Sequence, residues 1–111
     1  MEKITKKCFI ELLTQNKTQN IVIKNRKNTN ENSTIIENEN LKNLFNNNID
    51  VRYIIKTQTN AVVFNNGSYL YFDIEGIKNF YKKENFLIYI NEYTDEFSKE
   101  IFTTILIYKI I

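Results

Sequence analysis

The 111-residue chain contains no histidine, no proline and no tryptophan, two glycines and one cysteine. Each absence excludes something. Without histidine there is no side chain whose unperturbed pKa lies near neutrality. The usual general base and the commonest metal ligand are therefore missing. The familiar hydrolytic triads of serine or cysteine use an imidazole as base and are excluded on the same ground. Cys8 stands alone, so no intramolecular disulfide and no cysteine-based metal site can form; on the apolar stripe of a helix it reads as a buried structural thiol. Gly67 and Gly76 are too far apart for a glycine-rich phosphate loop. No apolar run reaches the roughly 18 residues that span a bilayer. Met1–Lys7 does not lead into the apolar stretch of a signal peptide. The expectation is a cytoplasmic protein with no membrane association.

What the chain has in surplus is Asn and Ile, eighteen of each. Together with abundant Lys, Phe and Tyr, these are the amino acids of AT-rich codons, so the composition describes a genome before it describes a protein. Hydrophobic residues make up 42% and charged residues 25%, ordinary globular usage that argues against wholesale disorder. The length suits a single domain spanning residues 1–111. A net charge of +2 predicts neither a DNA-coating protein nor an acidic DNA mimic. Twelve of the Asn residues precede residue 49, whereas thirteen of the fifteen aromatics follow residue 52, so the second half is the core-forming half.

Local patterns predict an α+β fold. Thr5 can cap a helix, Ile4 and Phe9 have the spacing of a hydrophobic staple, and Cys8, Phe9, Leu12 and Leu13 form an apolar stripe ending near Gln15–Asn16. Ile21-Val22-Ile23 reads as a short strand and Lys24–Ser33 as a polar loop. Thr34-Ile35-Ile36-Glu37 has capping-box spacing and opens a second helix, with Ile36, Leu41, Leu44 and Phe45 as its apolar side; Asn46-Asn47-Asn48 stops it. From Ile49 onward the period is two. Val51, Tyr53 and Ile55 alternate with Arg52, Ile54 and Lys56. Ala61–Phe64 and Tyr69–Phe72 flank Asn66-Gly67, the strongest short-range hairpin signal in the chain. A two-residue turn would pair Val63 with Leu70 and put Val62, Phe64, Tyr69 and Tyr71 on one face. A three-residue turn with a glycine bulge would change the pairing, and both stay open. Further strands are expected at Ile77–Tyr81, Phe86–Tyr93 and Ile101–Ile110. The prediction is two N-terminal helices, with one short strand between them, packed on an antiparallel meander sheet of five or six strands. The last two strands are apolar on both faces, so each face needs cover. The helices would supply one side, and a loop, a partner or a second subunit the other, which makes a homodimer an expectation.

Chemistry-bearing groups are few. Asp73 and Glu75 precede Lys78, and Glu92, Asp95 and Glu96 lie in or beside one turn. Metal-dependent nucleases can work with carboxylates and a lysine alone, but solvated turn charges explain both groups more simply. The chain is expected to have no catalytic residues, no metal and no cofactor, and not to be an enzyme. Two features could bind a partner. Lys24, Arg26 and Lys27 lie in an Asn-rich stretch that could contact phosphate or protein, although it lacks stacking aromatics. Phe64, Tyr69 and Tyr71 would form an aromatic sheet face, and tyrosine contributes large area at low entropy cost while keeping a polar tip.

The polar run Lys56–Asn60, the strand Ala61-Val62-Val63-Phe64, the turn Asn65-Asn66-Gly67-Ser68 and the strand Tyr69-Leu70-Tyr71-Phe72 together resemble a stretch of small proteins from phages and mobile elements of low-GC Gram-positive bacteria. The closing strand Thr104–Ile110 and the opening Ile4–Leu13 are similar to the ends of such proteins. The resemblance covers about half the chain, and anti-CRISPR proteins belong to that pool. It implies a non-enzymatic inhibitor that blocks a host CRISPR effector nuclease by occupancy, with a host protein or ribonucleoprotein complex as partner. No functional residue carries over, because the matching residues are those a hairpin needs. The alternative is a weak nucleic-acid-binding accessory protein using Lys24, Arg26 and Lys27.

Overall fold

The computed structural model describes residues 2–25, 51–58, 60–72 and 76–111, with residues 20–25 described by backbone alone. The chain opens with a three-residue strand, β1 (Glu2–Ile4), and turns directly into helix α1 (Lys6–Gln15). Thr5 is the N-cap. Its side-chain oxygen accepts from the Cys8 N–H at 3.1 Å and its carbonyl accepts from the Phe9 N–H at 3.0 Å. A cap of this kind contributes about 1 kcal/mol. Phe9 and Leu13, one turn apart, are the buried residues of the helix. Cys8, beside them, is only half-buried.

Among the described residues seven more strands follow: β2 (Thr18–Asn25), β3 (Ile54–Thr57), β4 (Ala61–Phe64), β5 (Tyr69–Tyr71), β6 (Ile77–Lys83), β7 (Phe86–Thr94) and β8 (Ile101–Ile110). They form two antiparallel sheets in place of the expected single meander. One has the order β1-β6-β7-β8-β2 and the other is the three-stranded β3-β4-β5. Only β6-β7-β8 is a meander within the larger sheet, and β1 and β2 return from the N-terminus to form its edges. The second predicted helix, at residues 34–45, lies outside the described residues; among those that are described, α1 is the one helix.

The two sheets pack with α1 around one apolar cluster. Phe9 and Leu13 come from the helix, Val62, Phe64 and Leu70 from the small sheet, Phe72 from just beyond β5, and Phe80, Leu87, Tyr89 and Tyr108 from the large sheet. Phe9 sits at the join, its ring centroid 5.0 Å from Phe80 and 6.1 Å from Tyr108. On the opposite face of the large sheet Phe86, Ile88, Ile105 and Ile107 form a second buried cluster. That pair of clusters explains why β7 and β8 are apolar on both faces. Thr18 and Arg52 exchange backbone hydrogen bonds, each 2.6 Å, and so tie the start of β2 to the chain leading into β3.

The hairpin uses the three-residue turn. Val63 pairs with Tyr69, Val62 with Leu70 and Ala61 with Tyr71. The Gly67 N–H donates to the Phe64 carbonyl at 2.9 Å, and Gly67 takes the positive φ of 84° that this turn and bulge require. A one-residue change of register moves side chains to the other face, with direct consequences for the candidate site.

Candidate partner-binding surfaces

The register separates the three aromatics that a two-residue turn would have placed together. Phe64 falls on the face with Val62 and Leu70 and is buried, 2% exposed, with its ring stacked 5.6 Å from Tyr108. It is a core residue that joins the two sheets and stands apart from the exposed face, where the sequence had grouped it with Tyr69 and Tyr71 as a partner contact. Tyr69 and Tyr71 fall on the other face and remain exposed at 52% and 54%. Their rings stack on each other with centroids 5.5 Å apart and planes 13° from parallel. Across from them stand the small residues Val63 and Ala61, and beyond Val63 the exposed Lys56 of β3.

Local hydrogen bonds fix the hairpin that carries this pair. Asn65 imitates a strand residue toward the preceding segment. Its backbone N–H donates to the Tyr53 carbonyl at 2.9 Å, its side-chain oxygen accepts from the Tyr53 N–H at 3.1 Å, and its amide donates to the Val51 carbonyl at 3.2 Å. The Asn66 side-chain oxygen accepts from both the N–H and the hydroxyl of Ser68, at 3.1 and 2.6 Å. The Asn load of the turn is therefore structural.

Of the basic cluster, only Lys24 is among the described residues, and by its backbone alone. Lys24 belongs to β2, at the backbone position opposite Thr104, while Arg26 and Lys27 lie outside the described residues. Asp73 and Glu75 lie outside them too, and Lys78 is a half-buried residue of β6 opposite Asn91. Glu92, Asp95 and Glu96 stand at the far end of β7. Among the described residues no three acidic or sulfur groups are close enough to hold a metal ion.

Among the described residues the buried polar groups include the Tyr89 and Tyr108 phenols, the Arg52 Nε and the side chains of Thr18, Asn91 and Thr103. Burial pushes the Tyr108 hydroxyl pKa far above the ordinary value, against the opposing charge of Arg52, with Tyr89 adding to the rise. Burial also raises Tyr89, offset in part by the Asn91 side chain. The Tyr89 hydroxyl and the Arg52 Nε are enclosed without a well-formed hydrogen bond. Neither phenol ionises near neutrality, so neither supplies the base that the missing histidines would have provided.

With the geometry in view, no protein-family model, curated protein or solved structure matches this chain. Among the described residues no helix is long and apolar enough to cross a membrane.

A second exposed group was not visible as a unit in the sequence. Tyr93 stacks on Phe102 at 5.4 Å near the end of the β7–β8 hairpin, and Phe97 projects from its turn. An aromatic inside the acidic stretch Thr94–Glu100 was the one local signal, and turn composition alone does not say whether such a ring folds back or points outward.

Proposed function

We propose that this protein acts by binding another macromolecule, as a non-enzymatic inhibitor or adaptor, with Tyr69 and Tyr71 at the centre of the contact. The supporting observation is the stacked, half-exposed tyrosine pair on a strand pinned by Asn65, Asn66 and Ser68. Tyrosine is enriched among the residues that dominate binding energy. A pair already stacked loses little freedom when a partner covers it, so more of the buried area becomes affinity. The concrete form suggested by the resemblance to small phage and mobile-element proteins is an anti-CRISPR protein that blocks an effector nuclease by occupancy.

The test is co-purification with CRISPR effector complexes together with a DNA-cleavage assay. The native chain should be retained and should inhibit cleavage, and the double variant Tyr69→Ala/Tyr71→Ala should bind at least tenfold more weakly with an unchanged circular dichroism spectrum. An effector that is not retained at micromolar concentration removes the CRISPR assignment. An effector retained equally by the double variant removes the tyrosine face.

A further inference from the structure

The turn joining β7 to β8 is built to hold one aromatic ring out in solvent. Thr94 pairs with Ile101 as the last rung of the hairpin. Beyond it the Asp95 N–H donates to the Glu100 carbonyl and the Lys99 N–H to the Asp95 carbonyl, each at 2.9 Å. The Asp95 carboxylate closes the turn from inside, accepting from the Phe97 N–H at 3.2 Å and the Ser98 hydroxyl at 2.9 Å. Lys99 adopts φ 61°, the left-handed conformation that ends the turn. Phe97, at the apex, is 94% exposed. Behind it, Tyr93 and Thr94 border a small hollow beneath the apex and a second shallow one beside the exposed Ile77 and Ile101, although in register the Tyr93 side chain belongs to the sheet face opposite those two. Single apolar residues on a surface are ordinary, but a ring held almost wholly in solvent by a turn that its own hydrogen bonds close is a candidate contact point.

The charge around this group restricts what can cover it. Between residues 92 and 100 stand four carboxylates and a single lysine, in a chain whose net charge is +2. Nucleic acid and anionic lipid would be repelled. A second copy meeting the first tip to tip would oppose carboxylate with carboxylate. A protein surface with an apolar cleft rimmed by Lys or Arg satisfies both the ring and its surroundings. We propose that the β7–β8 turn is a docking knob for such a cleft, with Phe97 entering it and Glu92 and Glu96 facing the basic rim. This rests on the reading that the protein acts by binding a macromolecule, but on residues separate from Tyr69 and Tyr71.

The probe is a synthetic peptide of two linked amphipathic helices whose leucines line a cleft rimmed by lysines, titrated into the isotopically labelled full chain and followed by NMR. Amide shifts should concentrate in residues 92–101. Phe97→Ser should abolish them and, because the ring is almost fully exposed, should leave the remaining spectrum intact. Glu92→Gln/Glu96→Gln should weaken binding at least tenfold and flatten its dependence on salt. The same peptide with glutamate replacing lysine, and phosphatidylglycerol vesicles, should not bind. Absence of shifts at millimolar peptide overturns the proposal, as does equal binding of the acidic peptide. Shifts confined to Tyr69 and Tyr71 and insensitive to Phe97→Ser would overturn the knob while leaving the tyrosine face standing. Loss of the tyrosine contact in the effector assay would leave the knob's own titration unaffected.

Discussion

Gly67 and Gly76 both take positive φ, 84° and 110°, yet they stand in different surroundings. A Cβ built on Gly67 meets nothing within 4 Å, whereas one on Gly76 runs into the Glu92 carbonyl and comes within 2.9 Å of the Tyr93 Cβ. At Gly67 the demand is conformational alone, and asparagine tolerates the left-handed region. Gly67→Asn should therefore cost no more than about 1 kcal/mol. Gly76→Ala adds a backbone collision to strain and should cost about 3 kcal/mol. Urea unfolding of the two variants measures the difference; a neutral Gly76→Ala would mean that β6 does not begin against β7 as described. The same scale explains the fate of the aromatic candidates. Tyr69 and Tyr71 were legible as a pair because residues two apart share a strand face whatever the register. Phe64 was not, because its face depends on whether the Asn-Gly turn holds two residues or three, and Asn66-Gly67 suits either.

Elements defined by local chemistry were the legible ones. Thr5 announces the start of α1, and its apolar stripe fades at Gln15, where the helix ends. β8 spans the predicted Ile101–Ile110 because a continuous apolar strand has clear borders in an acidic turn and the end of the apolar run. β1 was invisible, since Glu2-Lys3-Ile4 is held by pairing with Tyr81 and its neighbours and three residues show no periodicity. The β7–β8 turn shows how a single side chain organises an element, and it makes the element sensitive to acid. The Ser98 hydroxyl and then the Phe97 N–H stabilise the ionised Asp95 carboxylate and lower its pKa below the ordinary value. A carboxylate depressed in the folded state stabilises fully above its unfolded pKa of about 4 and loses that contribution as pH falls through the folded value. The turn should thus stay closed at neutrality and open only in stronger acid. Amide shifts of Phe97 and Ser98 should titrate with a midpoint below about 4, and Ser98→Ala should move that midpoint upward. A midpoint at or above the ordinary aspartate value would sink this account of the turn.

At the scale of the whole molecule, what the sequence pattern could not convey was the division into two sheets. Period-two alternation says which residues share a face, but it does not say which strand lies beside which. β5 and β6 follow one another in the chain yet belong to different sheets, and β2 finds β8 from the other end of the sequence. That division bears on self-association. The case for a homodimer was that β7 and β8 are apolar on both faces and need cover. In the fold, Leu87, Tyr89 and Tyr108 pack under α1 and the small sheet, while Phe86, Ile88, Ile105 and Ile107 are buried on the reverse side within a single chain. The requirement is met without a second subunit. The exposed tyrosine pair keeps polar tips and the aromatic knob is ringed by carboxylates, and neither resembles the large apolar patch of an obligate dimer. The chain should run as a 13.3 kDa monomer in light scattering. It should remain so in moderate salt, where screening would relieve repulsion between acidic tips and reveal any latent pairing. A species of twice that mass, lost on Tyr69→Ala/Tyr71→Ala, would instead make the tyrosine face a homotypic contact and remove it as the surface that meets a foreign partner.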